Sequence, residues 1–296
     1  MRNTDKQYHD LAAMVLEKGH AKTDRTGTGT ISTTGAMMRF DLQKEFPILT
    51  TKRVFWKGVV AELLMFIRGY TSEHWLQEQG VHIWDEWPAT QHKYIPYGMM
   101  WRSVPTDEIV LTEHSGIQRD MFEGPEVYTN VDVKRSYYDQ LGTVIQELKV
   151  NPDSRRLLVN AWQVEFLSEF TLPPCHNQFQ FTTHLVDGKR YLNCQVYQRS
   201  VDVLLGLPFN LASYALLTHI VAKECGYEVG ELVWTGCDVH IYSNHVEQIK
   251  TQLTRDSKSN PQLRMFQKKA LEEYEVSDFI LMDYDPHPAI KADVAV

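Results

Sequence analysis

The stretch from Asn210 to Lys223 constrains the fold of this chain more than any other. Leu211, Ala212, Tyr214, Ala215, Leu216, Leu217, Ile220, Val221 and Ala222 occupy most sides of a helix rather than one stripe. A helix apolar on most sides belongs in the middle of a protein, with other elements packed around it. Gly226 is a fitting terminator, because glycine takes the left-handed conformation that closes a helix. The neighbouring segments Arg156 to Trp162, Phe179 to Leu185, Tyr191 to Tyr197 and Leu232 to Tyr242 are β-rich, several with period-two alternation. An enclosed helix among strands predicts an α+β fold, one domain with a sheet covered by helices.

The first half supplies the covering helices. Tyr8, Leu11, Met14, Val15 and Leu16 give Gln7 to Lys18 helical spacing, and Leu141, Val144, Ile145 and Leu148 do so for Tyr138 to Leu148. Phe55 to Arg68 predicts a largely buried helix through Val59, Val60, Leu63, Leu64 and Ile67. Glu62 is its odd member, a carboxylate within an apolar surface. The polar, glycine-rich turn Asp24 to Thr30 leads into a strand over Ile31 to Phe40. Ser103 to Val131 has weak periodicity and reads as an inserted surface segment in an otherwise single domain spanning residues 1–296.

Charge and cysteine usage narrow the functions open to such a chain. A net charge of -8 argues against general nucleic-acid binding, so an anionic ligand would have to be caught by local arginines. The four cysteines form no Cys-x-x-Cys pair, which fits a reducing cytoplasm and gives no zinc signature. Met1 to Asp10 is polar and lacks an apolar signal core, and the apolar run Leu211 to Ala222, interrupted by Ser213 and His219, is too short to span a membrane. These features predict a soluble cytoplasmic protein.

Cys194, Cys225 and Cys237 lie in strand-like or helical context and read as small buried hydrophobes. Cys175 differs. It follows Pro173 and Pro174, which stiffen an extended lead-in, and His176 stands beside it. Across one hairpin-like stretch lies Arg199-Ser200-Val201-Asp202, where the Arg-Ser pair can hold a dianion and the guanidinium can lower the pKa of a nearby thiol. The combination predicts a cysteine that attacks a phosphorylated small molecule.

With these residues in view, the chain resembles the folate-dependent thymidylate synthase family along nearly its whole length. The motifs that carry the resemblance are Asp24-Arg25-Thr26-Gly27-Thr28-Gly29-Thr30, Glu62-Leu63-Leu64, Ile83-Trp84-Asp85-Glu86-Trp87 and Asp153-Ser154-Arg155-Arg156. They continue in the same order through Pro173-Pro174-Cys175-His176, Arg199-Ser200-Val201-Asp202, Gly206-Leu207-Pro208-Phe209-Asn210 and His240-Ile241-Tyr242-Ser243-Asn244-His245. The resemblance implies a large mixed sheet, one face of which packs against a second copy to make an obligate homodimer. It implies reductive methylation of dUMP to dTMP, with 5,10-methylenetetrahydrofolate as co-substrate, dihydrofolate as by-product and no metal.

Residue roles follow from the same likeness. Cys175 adds to carbon 6 of the uracil ring and makes carbon 5 nucleophilic. Arg199 assists its ionisation, Glu62 organises water for proton transfer, and Tyr97, Asp202 and Asn210 complete the catalytic set. The nucleotide is held by Arg25, His176, Arg199, Ser200, Asp202, Asn210, His240 and Tyr242, with Arg155 and Arg156 reaching the partner's phosphate. Asn210 chooses the base, since an amide can bond both O4 and N3–H of uracil, whereas cytosine-directed relatives carry Asp there. The folate slot is lined by Ile83, Trp84, Trp87, Leu172, Asp202, Leu205, Gly206, Phe209 and Tyr242, and Val296 ends the tail that closes over it.

Departures from the family pattern border the folate side. Met65 stands where many relatives have Trp, Arg68-Gly69-Tyr70-Thr71 and Tyr94-Ile95-Pro96-Tyr97-Gly98 are unusual, and Cys237 and Val239 flank Asp238 where Gly and Thr are commoner. A dUMP hydroxymethylase is the alternative: water reaching the methylene before hydride would give 5-hydroxymethyl-dUMP. A non-catalytic dimer binding nucleotide or RNA is a third reading, opposed by intact Cys175, Glu62 and Asn210.

Overall fold

A computed structural model describes residues 2–111, 131–266 and 268–295. In chain order, α1 (Asn3–Lys18) precedes β1 (His20–Lys22) and β2 (Thr30–Asp41). Then come α2 (Trp56–Ile67), α3 (His74–Glu78), α4 (Pro96–Arg102), β3 (Val104–Leu111), β4 (Val131–Tyr138) and α5 (Gln140–Val150). The second half holds β5 (Leu158–Asn160), β6 (Gln178–Val186), β7 (Lys189–Asp202), α6 (Gly206–Cys225) and β8 (Glu228–Tyr242), followed by α7 (Val246–Leu253), β9 (Gln262–Met265) and β10 (Phe279–Met282).

One sheet of six strands, ordered β1-β2-β8-β7-β6-β5, carries the architecture. Neighbours are antiparallel except β7 and β8, which run parallel, so the sheet is mixed and the fold is α+β. Parallel strands cannot be joined by a tight turn, and α6 is the crossover that returns the chain. This is why α6 is apolar on most sides: it packs on β7 and β8 while α2 and α5 cover it from outside. The register runs Met38 to Trp234 to Val196 to Phe179 to Val159, a row buried across the five strands from β2 to β5. The neighbouring row, Met37 to Thr235 to Tyr197 to Gln178, lies on the opposite face, where Met37 and Tyr197 are exposed. A one-residue slip would exchange the two rows, which fixes the register.

Several boundaries differ from the sequence reading. α6 begins four residues earlier than expected, at Gly206, because Pro208 falls in the first turn, where its missing N–H costs no intrahelical bond. α5 begins after Asp139, whose carboxylate caps it by accepting from the Gly142 N–H, and Tyr138 belongs to β4. Of the expected strand from Arg156 to Trp162, Leu158–Asn160 is paired. The surface insertion expected over 103–131 is bounded by an antiparallel pair, β3 with β4; its residues 112–130 lie outside the described ones. Among the described residues no helix is long and apolar enough to cross a membrane.

Candidate active site

The C-terminal ends of the parallel strands meet the start of α6, and this is where the expected residues converge. β7 brings Arg199, Ser200 and Asp202, the first turns of α6 bring Gly206, Phe209 and Asn210, and β8 brings His240 and Tyr242. Carboxyl ends of parallel strands commonly form such crevices. A Cβ on Gly206 would sit 3.7 Å from Cβ of Asp202 and 3.8 Å from Oδ1 of Asn210, so the glycine stands between the two.

Cys175 lies in the segment before β6 rather than within a strand. Its backbone is clamped on both sides. The Cys175 N–H donates to the Tyr97 hydroxyl at 2.9 Å, and its carbonyl accepts from the Arg199 N–H at 2.8 Å. The prolines do more than stiffen the approach. Nε of Arg199 donates to the Pro174 carbonyl at 2.7 Å and Nη2 to the Pro173 carbonyl at 2.8 Å, which leaves Nη2 3.9 Å from the Cys175 Sγ. The guanidinium also lies 5.0 Å over the Trp162 ring. Arg199 acts on the thiol pKa in the expected direction, but burial is the larger influence. Burial pushes the Cys175 thiol above its ordinary value, Arg199 opposes this, and Asp202 adds to it.

Behind the thiol is an aromatic wall. The His176 ring stacks on Tyr97 at 4.0 Å and 3°, and its Nδ1 is 2.8 Å from the Tyr214 hydroxyl. Burial pushes His176 down to about 3, so it is a neutral ring. On the facing side, Trp84 Nε1 donates to Glu62 Oε1 at 2.7 Å. Burial on α2 pushes Glu62 up to about 7 despite that bond. Trp84 packs edge-on to both Trp87 and Tyr97. Ile83, Trp87, Leu172, Leu205 and Phe209 are partly covered and rest against the core.

The polar groups expected to read a ligand are themselves held. Gln198 is 2% exposed; its Nε2 donates to Asn210 Oδ1 at 2.8 Å, while its Oε1 accepts from Trp234 Nε1 at 2.9 Å. The indole thereby fixes the Gln198 amide, and Gln198 fixes that of Asn210. Asp202 Oδ1 accepts from the Leu204 and Leu205 N–H groups at 2.9 and 3.2 Å. Lys52, buried and pushed down to about 8, donates to the Leu204 carbonyl in the same turn. His240 Nδ1 is 3.2 Å from Asp238 Oδ1, which also accepts from the Ser32 hydroxyl at 2.7 Å. The Tyr242 hydroxyl is pushed up to about 12, first by burial and then by the charges of Asp202, Asp24 and Cys175, with Arg25 opposing. Tyr242 therefore shares one electrostatic neighbourhood with all of them.

Gln198, Trp162, Trp234, Lys52 and Asp238 join the site without having been expected there. A glutamine at an inward position of an alternating strand is a readable sign for Gln198; the others carry none. Arg25, Arg155 and Arg156 are exposed, and neither Arg155 nor Arg156 makes a hydrogen bond or ion pair to the Cys175 cluster. Val296 lies outside the described residues. Cys194 is sealed in the core, whereas Cys225 and Cys237 are only partly covered.

Comparison with known proteins places the chain in a family along nearly its whole length. The thymidylate synthase family matches residues 6–296. A curated thymidylate synthase from Corynebacterium aurimucosum is 47% identical over 290 residues, covering 98% of this chain and 97% of that protein.

Proposed function

The chain belongs to the thymidylate synthase family of methyltransferases, and on that premise we propose that it methylates dUMP to dTMP with Cys175 as the nucleophile. The observation that carries the assignment is the Arg199 guanidinium, which the Pro173 and Pro174 carbonyls aim at the Cys175 sulfur. Burial favours the neutral thiol, and the adjacent cation favours the thiolate as the sulfur adds to carbon 6 of the ring. Asn210, its amide fixed by Gln198, reads O4 and N3–H of uracil. His240 and Tyr242 bond the ribose hydroxyl, and Arg25, Arg199 and Ser200 hold the phosphate.

5,10-Methylenetetrahydrofolate supplies the one-carbon unit and the hydride. The chain's own part is to hold the pterin on Asp202, to flank it with Ile83, Trp84, Trp87, Leu172, Leu205, Gly206, Phe209 and Tyr242, and to exclude water with the C-terminal tail that ends at Val296. Glu62, near neutrality, can take up and release a proton through ordered water at working pH. Tyr97 keeps the Cys175 backbone in place through its hydroxyl.

The same reading makes residues 1–296 one catalytic domain and the active unit a homodimer. The exposed row through Met37 and Tyr197 belongs to the face that would meet a second copy, from which Arg155 and Arg156 reach the phosphate across the interface. The four free cysteines fit a reducing cytoplasm. Incubation with dUMP and methylenetetrahydrofolate should yield dTMP and dihydrofolate in equal amounts, followed by the absorbance of dihydrofolate and by chromatography of the nucleotide. Release of 5-hydroxymethyl-dUMP without dihydrofolate would replace methylation by hydration.

A further inference from the structure

His245 has no part in the chemistry described above, yet it is completely buried beside it. It ends the single helical turn Ser243–His245 between β8 and α7, with its ring edge-on to Tyr242 at 5.6 Å. One ring nitrogen, Nε2, is 2.8 Å from the backbone carbonyl of Asp293, so the proton on Nε2 donates to the C-terminal segment. The other, Nδ1, is buried without a hydrogen-bond partner and lies 4.0 Å from Asp202 Oδ1. Asp202 is in turn held by the Leu204 and Leu205 N–H groups. A single rigid ring thus touches the C-terminal segment on one edge and faces the Asp202 carboxylate with the other.

We infer that His245 is a positioning residue that latches the C-terminal segment at Asp293 and holds it beside the Asp202 side of the site. The inference rests on the reading of Asp202 as the pterin-holding carboxylate. Ala292 packs on the core, and Asp293 is the last residue of the segment with a hydrogen bond to the body of the protein among the described residues, so Val294 and Ala295 extend beyond this last tether. A ligand held on Asp202 lies across the ring from the tether. Loss of the Nε2 donor leaves the Asp293 carbonyl without its partner and lets the segment leave the site.

The test compares His245→Leu, His245→Gln and His245→Asn. Gln can place an N–H near the position of Nε2, whereas Asn reaches only near that of Nδ1. His245→Leu and His245→Asn should raise KM for methylenetetrahydrofolate on the order of 10-fold, the loss expected for one buried hydrogen bond. Both should leave the Kd of dUMP within about 2-fold, and His245→Gln should restore the wild-type KM. Carboxypeptidase should remove Val296 faster from the Leu and Asn variants than from wild type, with or without ligands. Should the Leu variant fail to fold, the Gln and Asn pair reads the same contrast. Unchanged KM and unchanged tail release in the Asn variant would overturn the latch, as would equal loss of dUMP binding, which marks general packing damage. A wild type inert toward dUMP and methylenetetrahydrofolate, with tail release still accelerated in the Asn variant, would overturn the enzymatic reading and leave the latch standing.

Discussion

Glu62 stands on α2 among Val59, Val60, Ala61, Leu63 and Met65, all buried, and the hydrogen bond from Trp84 does not replace the water its carboxylate has lost. Its pKa is raised from 4.5 to about 7, so folding favours the protonated form. The sign of the linkage follows. The stabilisation from protonated Glu62 is complete below pH 4.5, declines as pH rises toward 7, and is gone above that value. The difference amounts to about 3 kcal/mol at 1.36 kcal/mol per pKa unit. Glu62→Gln, which keeps the shape and cannot ionise, should flatten this part of the stability profile. Urea midpoints at pH 5 and pH 8 test the point: the wild type should lose more stability than Glu62→Gln between them. Equal losses would mean that Glu62 is already ionised in the folded protein at pH 5.

Among the elements, α6 and its closing glycine invite the simplest test. Gly226 has φ of 73°, and a Cβ placed on it would meet nothing within 4 Å, so a side chain there is opposed only by its own backbone. Gly226→Ala should therefore cost about 1 kcal/mol, the penalty of a left-handed non-glycine residue, with no change in KM for dUMP. Urea denaturation and steady-state kinetics read the two arms. That glycine and the all-round apolar helix before it are visible in the sequence because each is dictated locally. So are the middle of α2 and the long strands β7 and β8, where period and length agree. The start of α6 is not, because Leu207, Pro208 and Phe209 carry no distinct periodic signal. β5 is shorter than its sequence suggests because its flanks are strand-like in composition, while the register with β6 covers Leu158–Asn160. At the site, residues with unusual chemistry in their own segments, Cys175, Glu62 and Arg199, can be picked out directly. Gln198 and Lys52 act through the conformation of other residues, and only the packed arrangement reveals what they hold.

For the whole molecule, the exposure of Arg155 and Arg156 matters more than their identity. Both are exposed and neither makes an ion pair among the described residues; the proposed dimer gives them the partner's phosphate to bind. Arg155→Ala and Cys175→Ser should each be nearly inactive as homodimers, while mixing them under conditions of subunit exchange should restore activity to one site per heterodimer. Absence of recovery in a mixture shown to contain heterodimer would remove the arginines from the partner's site. The central strands have another consequence. β2 pairs along most of its length with β8, and β7 finds its parallel neighbour there too, so the middle of the sheet joins segments made early and late in translation. Until β8 has left the ribosome, β2 and β7 both present bare edges, and α6 emerges before the strand that helps shelter it. A nascent chain paused between Cys225 and Tyr242 already carries the cluster from Arg199 to Asn210, but it has neither a finished sheet nor a closed core. It exposes unpaired strand edges and an uncovered helix rather than a partial active site.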